Sequence, residues 1–314
     1  MAASTALGVD VGGTKLLAVR MDDDGQVTTE ATQDSPRDAP SLIEAVRETV
    51  DRLCGGSVRS IGVGVPGLVD VSGTVRFAPN LQGLSGHPLR CELESAFPGV
   101  AIWVGNDATA ACWGERMRGA ATGSDEVVMV TLGTGIGGGI VSGGLLLEGA
   151  HRYAGEFGHM VVDPHGPLCP CGKKGCWERF ASGSGLGMLA REAALAGTAS
   201  RLVELAGGDP EDVRGEHVTR AAAEGDFSAQ DIMDRFAWWV ALGLSNLANA
   251  LDPELIVIGG GLITAGEVLM NPTRRAFQKL VEAPEARADL RIVAAALGAS
   301  AGAIGAAMRA AAEG

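Results

Sequence analysis

A strand, a glycine-rich turn and a second strand occur twice in this chain, and that repeat restricts the fold more than any other feature. Residues 7–31 read LGVDVGGTKLLAVRMDDDGQVTTEA and residues 128–148 read VMVTLGTGIGGGIVSGGLLLE. Each has apolar runs broken by glycines, then a further turn and strand, the signature of successive hairpins. Self-similarity at this separation predicts two related halves. Around the repeats, strands alternate with helices: a helix beginning at a Ser41 cap with Glu44 at the capping-box position, a buried strand SIGVGVPG at 60–67, a helix at 88–96, a strand VAIWVGND at 100–107, an Ala-rich helix to Arg118, a long helix at 228–251 and a strand LIVIGGG at 255–261. That alternation argues an α/β architecture of mixed sheets covered by helices. The expected division is an N-terminal lobe of residues 1–118, with a C-terminal helix at 300–314 packing back on it, and a second lobe of residues 119–299.

Composition narrows the function. The chain of 314 residues carries a formal charge of −13, which argues against a nucleic-acid surface, where clustered Lys and Arg are needed. No apolar run approaches the roughly 20 residues of a membrane span, and the first residues lack a basic start and apolar core, so a cytoplasmic setting is expected. The first strand begins near Thr5, which leaves no room for an N-terminal DNA-binding segment.

The glycine turns are candidates for phosphate contact, because backbone amides there approach an anion without a side chain in the way. DVGGTK offers Gly12, Gly13 and Thr14, and GTGIGGG offers Thr134 and Gly135; neither is a Walker A loop. Asp10 lies in the first strand among apolar neighbours, where ionisation is costly unless a cation such as magnesium on a nucleotide compensates. Asp107, at the end of a strand and the start of a helix, reads either as a helix cap, a role Asn106 can share, or as a general base.

CPCGKKGCWE at 169–178 groups Cys169, Cys171 and Cys176. A metal site, a redox pair and structural thiols are the alternatives. In a reducing compartment three converging thiolates favour zinc, with His159 as the fourth ligand and His165 as runner-up. Cys54, Cys91 and Cys112 stand alone and read as core or surface thiols. Glu156 and Glu178 flank the cluster; each is either a surface charge or part of a polar substrate site.

With DVGGTK, VGND, LGTGIGGGI, GEFGHM and CPCGKKGCWE together, the chain resembles the sugar kinases of the ROK group (repressors, open reading frames, kinases) over essentially its whole length, and among them most the glucose-specific ones. The resemblance implies the two-lobed, actin-like ATPase (ribonuclease H-like) fold with a cleft between lobes. It implies an enzyme that transfers the γ-phosphoryl of MgATP to the 6-hydroxyl of glucose, with Asp107 as base. Gly67, Asn80, Asn106, Glu156, His159 and Glu178 would meet the sugar. Asp10, Gly12, Gly13, Thr14, Lys15, Thr134, Gly135, Gly259, Gly260 and Gly261 would serve the nucleotide. His159, Cys169, Cys171 and Cys176 would hold one structural zinc, with Mg2+ arriving on ATP. A homo-oligomer, dimer or tetramer, is implied. Kinases for N-acetylglucosamine, N-acetylmannosamine or fructose are the alternatives, as is a non-catalytic sugar-sensing regulator. Leu84 stands where many members carry Trp, in a loop, NLQGLSGHPL, that the resemblance places toward the sugar, so that a change in substrate preference would follow from it.

Overall fold

The structure, a computed structural model, describes residues 5–313; residues 1–4 of the expected first lobe and Gly314 of the expected C-terminal helix lie outside it. Strands β1 (Ala6–Val11), β2 (Lys15–Met21), β3 (Val27–Asp34), β4 (Ser60–Val65) and β7 (Ala101–Asn106) form a five-stranded sheet in the order β3-β2-β1-β4-β7. The β1-β2-β3 meander is antiparallel, whereas β4 and β7 run parallel to β1. Between them come α1 (Ala39–Cys54), the small hairpin β5 (Leu68–Val69) and β6 (Val75–Phe77), and α2 (Leu89–Ala96); α3 (Asp107–Arg118) follows β7. Helix α1 starts two residues before the expected Ser41 cap. Asp38 caps it, accepting from the Ser41 N–H at 2.8 Å, because Pro40 is suited to the first turn.

The second sheet repeats the first. Strands β8 (Val127–Leu132), β9 (Ile136–Ser142), β10 (Leu145–Leu146), β11 (Leu255–Gly259) and β12 (Arg291–Ala294) stand in the order β10-β9-β8-β11-β12, with the β8-β9-β10 meander antiparallel and β11 and β12 parallel to β8. The long insertion between β10 and β11 holds α4 (Glu178–Ala181), α5 (Gly183–Leu195), α6 (Ser200–Leu205), α7 (Gly215–Ala223) and α8 (Phe227–Leu251); α9 (Glu267–Leu280) joins β11 to β12 and α10 (Ala301–Glu313) closes the chain. The expected internal repeat is therefore a repeat of topology.

By internal contacts the described residues form two compact units. One runs to Asp125 and includes Gly138–Gly155 and the segment from Ala296; the other consists of Glu126–Gly137 and Glu156–Ala295. In the first unit, Leu7, Val9, Leu42, Val46, Ile61, Val63 and Leu93 fill the space between the sheet and helices α1 and α2. On the other face α10 packs against α3, β1 and β4. Its small residues make that approach possible: a Cβ added at Gly305 would strike the Ala110 carbonyl. Leu84 lies in the first unit's core, buried with Leu81 and Leu89, so its side chain packs inward from the loop. A loop side chain of this size finds apolar burial more favourable than exposure. In the second unit, Phe236, Val240 and Leu244 of α8 are fully buried, as are Ile256, Val257 and Ile258 of β11.

Candidate active site

The first unit contributes two acids at strand ends. Asp10 stands near the end of β1 and Asp107 immediately after β7, on either side of β4. Asn106 is the cap of α3: its Oδ1 accepts from the Thr109 N–H at 2.9 Å, and its Nδ2 donates to the Gly67 carbonyl at 3.1 Å. Asp107 is thereby left out of the capping role, its Oδ1 accepting from the adjacent Ala108 N–H at 2.8 Å. Burial pushes the Asp107 carboxyl above the usual carboxylate range, outweighing the backbone donors. Asp10 is pushed up to about 7, by burial first and then by the charge of Asp107. Neither acid has a basic partner among the described residues. Gly302 of α10 makes room for Asp10, since a Cβ there would come within 2.5 Å of Oδ2. Two half-buried acids at strand ends of one sheet are a donor set that suits a hard cation.

Gly67 adopts φ +114°, a conformation closed to most side chains, next to the Phe77 carbonyl. Asn80 is exposed in the loop after β6. Gly13, Thr14 and Lys15 are exposed at the β1-β2 turn, which closes through a Gly12 N–H to Lys15 carbonyl bond of 2.9 Å. Ser35 braces it, donating from Oγ to the Gly12 carbonyl at 2.6 Å.

In the second unit the side-chain donors of His159, Cys169, Cys171 and Cys176 all lie within 4.8 Å of one another. Cys171 Sγ and Cys176 Sγ are 3.5 Å apart, and Cys169 Sγ lies 3.9 Å from His159 Nδ1. Tetrahedral zinc with bonds of about 2.0–2.3 Å sets its ligand atoms roughly 3.5–4 Å apart, so this donor set fits the ion. Without a cation the thiols oppose one another: burial and then the neighbouring thiols push Cys176 up to about 12, and burial raises Cys169. For Cys171 burial is outweighed by donation from the Lys173 backbone, and its thiol is lowered. His159, not His165, belongs to the group. With Nδ1 toward the sulfurs, His159 Nε2 points to Glu156 Oε2 at 3.9 Å.

Glu178 links this cluster to the second glycine turn. Its Oε1 lies 3.8 Å from Cys169 Sγ while Oε2 accepts from the Ile136 N–H at 3.1 Å. Gly135 leaves space for it, because a Cβ there would strike the carboxylate. The turn closes through a Gly133 N–H to Gly135 carbonyl bond, and Ser184 donates from Oγ to the Thr134 carbonyl at 3.0 Å. Beside it opens a cleft of about 800 Å³, lined among others by Gly133, Thr134, Gly183, Ser184 and Gly261. Gly259 and Gly260 are not in its lining and face Met129 and Leu132 instead. Sequence reading missed Arg179, Met188, Arg191 and Arg214 in the same lining. The spacing of Ser184, Met188 and Arg191 along α5 was the available signal, since it sets all three on one helix face.

Duplicated mixed sheets with glycine hairpins, an acid pair at strand ends and a Cys3His cluster define the α/β fold of the ROK sugar kinases, within the actin-like ATPase class. The ROK family model matches residues 6–313, and the chain belongs to the ROK family. It is 36% identical to a glucokinase of Streptomyces coelicolor over 96% of each chain. It is 35% identical to an N-acetylmannosamine kinase of Escherichia coli O139:H28, over 93% of this chain and 97% of that one. The crystal structure of a ROK glucokinase from Streptomyces griseus, in complex with glucose and AMPPNP, superposes with a TM-score of 0.87 at 38% identity, covering 98% of this chain and 99% of that one. No helix of the described residues is long and apolar enough to cross a membrane.

Proposed function

We propose that the protein is an ATP-dependent glucokinase of the cytoplasm, in which Asp107 accepts the proton of the glucose 6-hydroxyl as its oxygen attacks the γ-phosphorus. The bond from that phosphorus to the β,γ-bridging oxygen breaks, and ADP leaves with the electron pair. The observation that carries the base assignment is the capping of α3 by Asn106, which leaves the neighbouring Asp107 carboxylate uncommitted at a strand end. Phosphoryl transfer asks the protein mainly for positioning and charge stabilisation. Asn106, Asn80 and the Gly67 carbonyl region supply sugar contacts in the first unit; Glu156, His159 and Glu178 supply them in the second.

His159, Cys169, Cys171 and Cys176 would hold zinc, whose contribution would be structural, holding the imidazole on its Nδ1 side. That leaves Nε2 as the sugar-facing atom, oriented as a lone histidine would not be. Mg2+ on ATP would neutralise phosphate charge, with Asp10 as the carboxylate toward its waters. Thr14 and Lys15 in one turn, and Thr134 and Gly135 in the other, meet the phosphates. None of the six cysteines is in a disulfide, which suits a reducing compartment.

The similar identity to glucokinases and N-acetylmannosamine kinases makes the sugar the question to test. A coupled assay of ATP consumption across glucose, N-acetylglucosamine, N-acetylmannosamine and fructose should give the highest kcat/KM with glucose. A higher value with another sugar would reassign the substrate, and turnover with none would favour a sugar sensor.

A further inference from the structure

Glu115, in the last turn of α3, is wholly buried, and the reaction proposed above does not use it. Its carboxylate is held by backbone amides rather than by a basic side chain. Oε2 accepts from the Ala120 N–H at 2.6 Å and from the Ala296 N–H at 3.1 Å, and Oε1 accepts from the Leu297 N–H at 2.8 Å. Burying a carboxylate is costly unless charge-assisted donors offset it, and these three do so. Gly119 leaves the space, since a Cβ there would strike Oε2.

The segments that this carboxylate joins are the ones by which the chain changes unit. The chain passes between the two compact units four times, first after Asp125 and last before Ala296. Ala120 lies on the approach to the first crossing, and Ala296 and Leu297 directly follow the last. The tethers beyond are short: β8 begins two residues after Asp125, and β12 ends two residues before Ala296. Helix α3 therefore has Asp107 at its start and both crossings fastened at its end. Helix α10, which follows the last crossing, is pressed against it, because a Cβ at Gly114 would come within 2.6 Å of the Ala301 carbonyl. Arg116 in the same turn also reaches Asp125, Nη2 to Oδ1 at 2.8 Å, but Asp125 is exposed and such a pair contributes little.

We propose that Glu115 is a positioning residue for phosphoryl transfer: its carboxylate makes the helix that bears the base and two of the four crossings one rigid piece. The inference rests on the reading of Asp107 as base and of substrate contacts drawn from both units.

Steady-state kinetics and calorimetry on the full-length protein, below the onset of melting, test it. Glu115→Gln keeps the size but has one acceptor oxygen, and its N–H2 must face a backbone donor. It is expected to lower kcat about tenfold to hundredfold, the scale of a misplacement of about 1 Å, while the Kd for glucose stays within about threefold. Arg116→Gln, which breaks only the exposed pair, should change kcat less than about twofold. An unchanged kcat in Glu115→Gln overturns the proposal. So does a loss explained by weaker glucose binding or by the unfolded fraction, which would mean a merely structural role. Hydrogen exchange gives a readout free of turnover. Whichever way the amide turns, Ala296 or Leu297 loses its acceptor, so residues 296–297 should exchange faster while β1 and β4 stay protected. Unchanged protection at 296–297 overturns the anchor. Should Glu115→Gln not fold, Glu115→Asp, one methylene shorter, carries the same two comparisons. A wild type that phosphorylates no sugar would sink the kinase reading, and the exchange experiment would then decide the anchor alone.

Discussion

In both sheets a meander hairpin hands over to two parallel strands, and each first turn spans three residues, 12–14 in one and 133–135 in the other. Asp10 lies two positions before Gly12 and pairs in register with Gly64 of β4; Thr131 lies two positions before Gly133 and pairs with Gly259 of β11. Each turn is braced by a serine hydroxyl, Ser35 on the Gly12 carbonyl and Ser184 on the Thr134 carbonyl. At the strand ends the halves part. Asp107 follows β7, whereas Ala295 follows β12. The first half has a carboxylate at both places and the second has none. The second half instead has the cleft with its three arginines and the Cys3His cluster. Under the proposed function, duplicated topology supplies two equivalent frames and the chemistry is divided between them: proton acceptance at Asp107 in one, metal binding at the Cys3His group in the other.

The strongest test of that division is Asp107→Asn. It should lower kcat by roughly 10²–10⁴-fold, the range of a lost general base, while glucose binding measured by calorimetry stays within a fewfold. Near-wild-type turnover would move the proton acceptor out of the first half.

Next comes the metal. Cys176→Ser, or prolonged chelation, should remove about one zinc per chain and destabilise the protein by several kcal/mol, because a structural site adds its binding energy to folding. The second unit should unfold earlier in a thermal melt, and KM for glucose should rise through loss of the His159 orientation. A metal-free preparation with unchanged melting and activity would defeat the assignment.

What the sequence discloses follows from which interactions are local. DVGGTK and LGTGIGGG announce themselves because a tight turn needs glycine at fixed places, and the cysteine spacing is legible because ligands of one knuckle lie within a few residues. The cap of α1 was also written there, as Asp38 two residues before Pro40, although Ser41 with Glu44 made a competing pattern. Leu84 was not legible: whether a loop leucine faces a ligand or the core depends on Leu81, Leu89 and the sheet above them, brought together only by folding. The same holds for Arg179, Arg191 and Arg214, which stand on three separate segments and share a cleft only in three dimensions.

The smallest and most discriminating effect concerns Asp10. An acid raised to about 7 in the folded chain, against about 3.9 when unfolded, favours the protonated form on folding. Its contribution is therefore fully favourable below about pH 4 and is lost as pH rises through about 7. In the ligand-free protein, Asp10→Asn should raise the melting temperature at pH 8, by an amount equivalent to about 1–3 kcal/mol, and change little at pH 4. Because Asp10 and Asp107 titrate as a pair, the same variant should move the acid limb of kcat/KM to lower pH even as turnover falls. Thr131→Val, at the matching place in the second half, should do neither. A melting difference that stays constant from pH 4 to 8 would show that Asp10 bears no charge penalty, and the contrast between the two strand ends would then be one of shape alone.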